Sequence, residues 1–155
     1  MNNHQYEYLL SLGSNLGDRM NYLDAAIEEL AKLGQVLSES SRSETLPIGP
    51  GSRNYINSCV TIRSCLGPED LLTKIHIIET RLGRKRSIRW GDRTCDIDIV
   101  LARHSDGKAI SLNTPKLTIP HREFRKRDFV LKPAQQIAGN WIIPGNESQT
   151  INQIN

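Results

Sequence analysis

Hydrophobic and polar positions along the chain set out its elements before any motif is read. Tyr6 to Leu12 is an apolar run that stops at Gly13, which suits a strand entering a turn. Leu23, Ile27, Leu30 and Ala31 then recur at helical spacing, with Gly34 beyond them as a stop. From Gln35 to Thr45 the pattern is weakly strand-like and serine-rich, and Leu46 to Asn54, with two prolines and two glycines, reads as a loop. Tyr55 to Ile62 alternates as a strand does: Ile56, Ser58, Val60 and Ile62 share the aliphatic, core-facing side, with Tyr55, Asn57, Cys59 and Thr61 on the other.

The clearest helix lies between Gly67 and Gly83. Pro68 is tolerated in its first turn, Glu69 and Asp70 suit the positive end of the dipole, and Leu71, Ile75, Ile78 and Leu82 form its buried stripe. Cys95 to Ala102 reads as a strand with Ile97, Ile99 and Leu101 on one face and Asp96, Asp98 and Val100 on the other. The order βαββαβ predicts an α+β fold with a ferredoxin-like core, helices packed on one face of an antiparallel sheet. The opposite face is left for function or for a C-terminal extension. That extension holds a turn at His104 to Lys108, a short segment near Lys116 to Pro120, a helix within Phe129 to Ala138, and a polar tail after Pro144.

Composition narrows the class. A chain of 155 residues predicts one domain spanning 1–155. With 37% hydrophobic and only 5% aromatic residues, the core must be aliphatic. No apolar run approaches the roughly 18 residues of a membrane span, and the N-terminus lacks a signal-peptide pattern, so a cytoplasmic protein with no membrane partner is expected; a monomer is expected as well. Cys59, Cys65 and Cys95 form no C-x-x-C pair, which argues against a disulfide framework or a zinc site. The net charge of +3 is unevenly spread: Arg81 to Arg93 carries a local excess of about five positive charges and His121 to Lys132 one of about three. Two basic blocks on an acidic body point to a localised anionic ligand.

Asp96 and Asp98 carry the sharpest chemical signal. Residues i and i+2 of a strand project to one face, so the two carboxylates stand about 7 Å apart along the backbone and can converge on a hard cation such as Mg²⁺. Arg89 and Arg93 come just before them, and guanidinium forks match phosphate oxygens. The Gly13 to Arg19 segment, GSNLGDR, lies at a strand-to-helix turn but is no Walker A loop, and Asn15 or Asp18 can cap the helix. Tyr55 and Asn57 share a polar strand face that suits a flat heterocycle. Phe129 and Trp90 are further aromatics near the basic blocks, and His121 is either a phosphate donor or a surface histidine. Two other classes share the topology. An RNA-binding module needs stacking aromatics where this strand shows two aspartates, so no nucleic-acid partner is expected. A metal-dependent nucleotidyltransferase or cyclase would also pair this topology with two aspartates.

At these residues the sequence resembles a known family. GSNLGDR, YIN, LGRKR, RWGDRTCDIDI, PH and RDFVL, in that order from about Tyr8 to Ile137, are similar to the motifs of 6-hydroxymethyl-7,8-dihydropterin pyrophosphokinase, a folate-pathway enzyme. The resemblance implies transfer of pyrophosphate from ATP to the pterin hydroxymethyl oxygen, with AMP as second product. It implies two Mg²⁺ ions held by Asp96 and Asp98, with Arg84 and Arg93 joining them in catalysis. Thr45, Leu46, Pro47, Ile48, Tyr55, Asn57, Trp90 and Phe129 would form the pterin site. The nucleotide would meet His76, Glu79, Arg84, Arg86, Trp90, Arg93, Ile99, Leu117, Thr118, His121, Arg122 and Arg127, with Ile99, Leu117 and Thr118 near adenine. Asp92 stands where the family commonly has proline, and His76 and Arg122 also depart from its usual residues.

Overall fold

The computed structural model describes residues 4–45, 54–83 and 94–154. Strand β1 (Tyr6–Ser14) leads into α1 (Arg19–Ala31), then β2 (Gln35–Glu39) and β3 (Ser43–Thr45). After these come β4 (Tyr55–Ser64), α2 (Pro68–Arg81) and β5 (Asp96–His104). The main sheet runs β2-β4-β1-β5, with β3 pairing a further stretch of β4. All its pairings are antiparallel. This is the predicted ferredoxin-like arrangement, with β1 and β4 in the middle.

One face of the sheet carries α1 and α2. Leu23, Ala26 and Leu30 from α1 and Leu71, Ile75 and Ile78 from α2 bury against Leu10, Leu12, Val60, Ile62, Ile97 and Ile99. Gly34 is required by close approach: a Cβ there would lie 2.0 Å from the Arg63 carbonyl oxygen, so β2 can leave α1 this tightly only without a side chain. The opposite face carries the C-terminal extension. Helix α3 (Asp128–Ala138) lays Val130, Leu131, Ala134 and Ala138 on Leu9, Cys59, Val100 and Leu101, with Phe124 and Trp141 beside them.

Two expectations need correction. Leu101 faces α3, not the Ile97–Ile99 side, because the pairing slips between Leu9 and Leu10: Leu9 opposes Leu101 while Leu10 opposes Ile99. Val100 is the extra residue, so it and Leu101 pack consecutively into the α3 cluster and strict alternation fails. The tail after Pro144 is no polar appendage. It forms strand β9 (Asn146–Thr150), paired with β8 (Ile142–Ile143), and then a short 3₁₀ turn in which Ile151 is fully buried. Gln135 Nε2 holds the end down by donating to the carbonyls of Ile151, at 3.3 Å, and Ile154, at 3.2 Å. A short hairpin of two-residue strands, β6 (Leu112–Asn113) with β7 (Thr118–Ile119), lies along the outer edge of β5, and Ile119 enters the α1–α2 core. Among the described residues no helix is long and apolar enough to cross a membrane.

Candidate active site

Helix α3 covers only part of its face, and the uncovered part gathers the polar residues that the sequence singled out. The register builds it row by row. Ser43, Asn57, Gly13 and Asp96 stand opposite one another across β3, β4, β1 and β5, while Cys59, Ser11 and Asp98 form the next row toward α3. Thr45 opposes Tyr55 one row further out. Because directly opposed residues project to one side of a sheet, Thr45, Tyr55, Asn57, Asp96 and Asp98 all face the same space. Thus the two aspartates and the aromatic–amide pair, about 40 residues apart in sequence, are brought together by β1 between them.

Gly13 is the floor of this space. A Cβ on it would sit 2.9 Å from Asn57 Oδ1 and 3.4 Å from a Tyr55 ring carbon, so the missing side chain is what lets both lie across β1. Asn57 is buried, at 4% exposure, and its Nδ2 donates to Thr45 Oγ1 at 2.7 Å. That bond fixes which way the amide points and turns Oδ1 toward Gly13. In the sequence Gly13 reads as the end of a strand and the start of the GSNLGDR turn, not as part of a pocket. Its role was hidden because a floor is defined by neighbours on two other strands.

On the β5 side, Asp96 is half-buried and Asp98 exposed. Between them the Ile97 N–H points to the outer edge of the strand and donates to Glu79 Oε2 at 2.9 Å. Glu79, on α2, is 3% exposed, so the structure shows it bracing the strand that bears both aspartates. This carboxylate oxygen is turned to the protein backbone. His76, one helical turn earlier, is exposed. The Ile99 side chain is buried in the α1–α2 core, at 3% exposure, so any contact it makes with a base must come through its backbone on the edge of β5. Leu117 packs on the same core, and Thr118 is half-exposed in β7 alongside β5.

The remaining described candidates lie where the extension crosses. His121 is tied to β5 by its N–H donating to the Val100 carbonyl at 2.9 Å, and its Nδ1 accepts from the Glu123 N–H at 3.1 Å. The neutral ring therefore carries its proton on Nε2, which leaves a donor for an anion. Arg127 caps the start of α3, with its guanidinium 5.8 Å from the Phe129 ring centre. Phe129 is half-buried in the first turn of α3. It packs against the α3 cluster, and the neighbouring Val130 carbonyl meets Cys59 Sγ, one row from Asn57, at 3.7 Å. Arg122 is exposed. Leu46, Pro47, Ile48, Arg84, Arg86, Trp90 and Arg93 lie outside the described residues.

The donor chemistry fits Mg²⁺. Two carboxylates on one strand face supply hard oxygen ligands, and among the described residues no group of three or more histidine, cysteine or acidic side chains converges. Mg²⁺ commonly takes one or two carboxylates and completes its shell with water and substrate phosphate oxygens.

A family model described as 7,8-dihydro-6-hydroxymethylpterin-pyrophosphokinase matches residues 9–139. The 2-amino-4-hydroxy-6-hydroxymethyldihydropteridine pyrophosphokinase of Synechocystis is 38% identical over 148 residues, covering 94% of this chain and 73% of the relative. The protein of the same name from Porphyromonas gingivalis is 41% identical over 140 residues, covering 87% and 92%. Among solved structures, an HPPK-DHPS protein in complex with substrates superposes with a TM-score of 0.73 at 12% identity, covering 97% of this chain. Wild-type Plasmodium falciparum HPPK-DHPS with SDX-DHP gives 0.72 at 13%, covering 99%. This chain spans only 43% and 44% of those two longer chains, and at such identities the likeness speaks for the fold.

Proposed function

Since the chain belongs to the 7,8-dihydro-6-hydroxymethylpterin-pyrophosphokinase family, whose members are ATP-dependent enzymes of folate biosynthesis, we propose that it moves the pyrophosphoryl group of ATP to 6-hydroxymethyl-7,8-dihydropterin on the open half of the α3 face. The observation that carries this reading is the single row Asn57–Gly13–Asp96. It sets an oriented amide beside a paired carboxylate site across a side-chain-free floor.

The pterin would lie on Gly13 between the rings of Tyr55 and Phe129. Stacking of a flat heterocycle on such rings is worth roughly 1–3 kcal/mol per ring, by analogy with nucleic-acid bases. Asn57, already turned by Thr45, presents its amide edge to the heterocycle. The hydroxymethyl oxygen then points toward β5, and the triphosphate lies against Asp96, Asp98, the Nε2 side of His121 and Arg127. Two Mg²⁺ ions held by Asp96 and Asp98 would neutralise phosphate charge and favour departure of AMP. The alcohol oxygen attacks the β-phosphorus and gives up its proton to solvent as the bond to the oxygen bridging the α- and β-phosphorus breaks, so that this oxygen leaves with AMP. With little covalent work left to the protein, catalysis rests on positioning and charge. Glu79 contributes by holding the Asp96–Asp98 segment through the Ile97 amide.

Incubating the protein with ATP, Mg²⁺ and the reduced pterin should yield AMP and the pterin pyrophosphate in equal amounts. Release of free pyrophosphate with nucleotide attached to the acceptor would overturn the assignment in favour of nucleotidyl transfer.

A further inference from the structure

The GSNLGDR segment ends in a residue that the site so far does not use. Asp18 caps α1, its carboxylate accepting from the Asn21 N–H at 3.2 Å. Arg19, the first residue of the helix, reaches the other way, toward the hairpin of β3 and β4. Its Nη1 donates to the Asn54 carbonyl at 2.8 Å and to Glu44 Oε1 at 3.3 Å, and Asn54 Nδ2 donates to the same Glu44 oxygen at 3.2 Å. The three residues close a ring. The hydrogen bond from Asn54, and then that from Arg19 with its charge, hold the Glu44 carboxyl below its ordinary value, so the ring is ionic at neutral pH.

Its importance lies in what adjoins it. Glu44 precedes Thr45 and Asn54 precedes Tyr55, so the ring grips both chain segments one residue away from the proposed pterin contacts. Strand β3 has only three residues and, among the described residues, pairs only with β4. The segment entering β3 is already tied to α1 by Arg42, whose Nη2 meets Asp24 at 2.6 Å, and Arg19–Glu44 is the ion pair that β3 itself makes to α1 among the described residues. A displacement of β3 would carry Thr45 with it, and Thr45 Oγ1 is the acceptor that orients the Asn57 amide. The same displacement would reach Tyr55 through Asn54.

We infer that Arg19 is a positioning residue of the pterin pocket. From the start of α1 it locks Glu44 and Asn54 together, and so sets the spacing of Thr45, Tyr55 and Asn57 without entering the pocket. The inference rests on the reading of this face as the pterin site. Exposed ion pairs contribute little to global stability, so the effect belongs to ligand binding rather than to folding.

The experiment measures dissociation constants for 6-hydroxymethyl-7,8-dihydropterin and, separately, for α,β-methylene-ATP with Mg²⁺. It uses the wild type, Arg19→Ala, Arg19→Lys, Glu44→Gln and the double variant Arg19→Ala/Glu44→Gln. Arg19→Ala should weaken pterin binding about five- to tenfold, the scale of one ordinary hydrogen bond, and leave the analogue within about twofold. Arg19→Lys should recover part of the loss, and the double variant should be no worse than about the poorer single variant, as partners in one network require. Unchanged pterin binding in Arg19→Ala, or equal losses for both ligands, overturns the inference while the functional reading stands. A wild-type protein that binds the analogue but no pterin overturns the functional reading, and the inference with it.

Discussion

A lone carboxylate pair on a strand is usually solvated surface, and Asp98 by exposure alone would pass as such. What changes its meaning is the row it stands in. The i, i+2 spacing made the shared face of Asp96 and Asp98 legible in sequence, and the alternation of Tyr55 and Asn57 did the same for β4. Their convergence across β1 was not legible, because register between strands depends on contacts far apart in the chain. Changing Asp96 or Asp98 to Ala should lower turnover at least about 10³-fold, if each supports several kcal/mol of charge stabilisation. Circular dichroism and the thermal midpoint should stay near wild type, since neither side chain packs in a hydrophobic cluster. A double variant keeping more than about a tenth of the activity would remove these residues from the chemistry. The two phenylalanines divide differently. Phe124 is core, at 2% exposure, while Phe129 is half-buried at the edge of the open face. Phe129→Ala should weaken pterin binding about tenfold and spare the ATP analogue. Equal losses for the two ligands would mean that Phe129 serves the core beneath α3 instead.

At the scale of elements, periodicity located the strands and helices of the βαββαβ core, because each buries one face and the pattern records which. It failed where one residue breaks the period. The slip at Val100 sends Leu101 to the α3 side, and no local signal in the run Asp96 to Ala102 marks it. It failed again after Pro144, where a stretch rich in Asn, Ser and Gln has Ile151 as its fully buried apolar anchor. One fully buried residue, with Ile154 partly buried beside it, leaves no periodic trace, yet Ile151 seals the end of the cluster that holds Trp141, Ile143 and Ala138. Ile151→Ala should therefore cost about 2–5 kcal/mol of unfolding free energy, the range for deleting a buried aliphatic side chain. Denaturant titration reads this directly. Pterin affinity should remain within about twofold, because the lesion lies at the covered end of the face. A cost below about 0.5 kcal/mol would show that the tail rests on α3 without supporting it.

Across the whole molecule, the sheet separates tasks along one face: the covered end is held together by packing and ion pairs, and the open end is left to bind. Glu7 marks the covered end. It opposes Arg63 on β4 and Arg103 on β5, accepting from Arg63 Nη2 at 2.8 Å and from Arg103 Nε at 2.9 Å, while the Arg103 guanidinium stacks 4.1 Å from the Trp141 ring centre. The sequence showed basic blocks elsewhere but gave no hint of this trio, whose members lie on three strands. Burial alone would raise the Glu7 carboxyl, but hydrogen bonds from Arg63 and Arg103 and their charges outweigh it and hold the group below its ordinary value of 4.5. A carboxyl with a lowered folded-state pKa binds protons more readily when unfolded. It therefore stabilises the fold fully above the unfolded value and loses that contribution as pH falls through the folded one. Comparing the wild type with Glu7→Gln by denaturant titration should show a constant gap at neutral pH. The gap should narrow once the pH drops below about 4.5, the ordinary carboxylate value. Because Arg63 and Arg103 would be left facing a neutral amide, the variant should be the less stable partner throughout the upper range. A gap that stays constant from neutral pH down to the acid limit of folding would show that Glu7 acts through packing rather than through its charge.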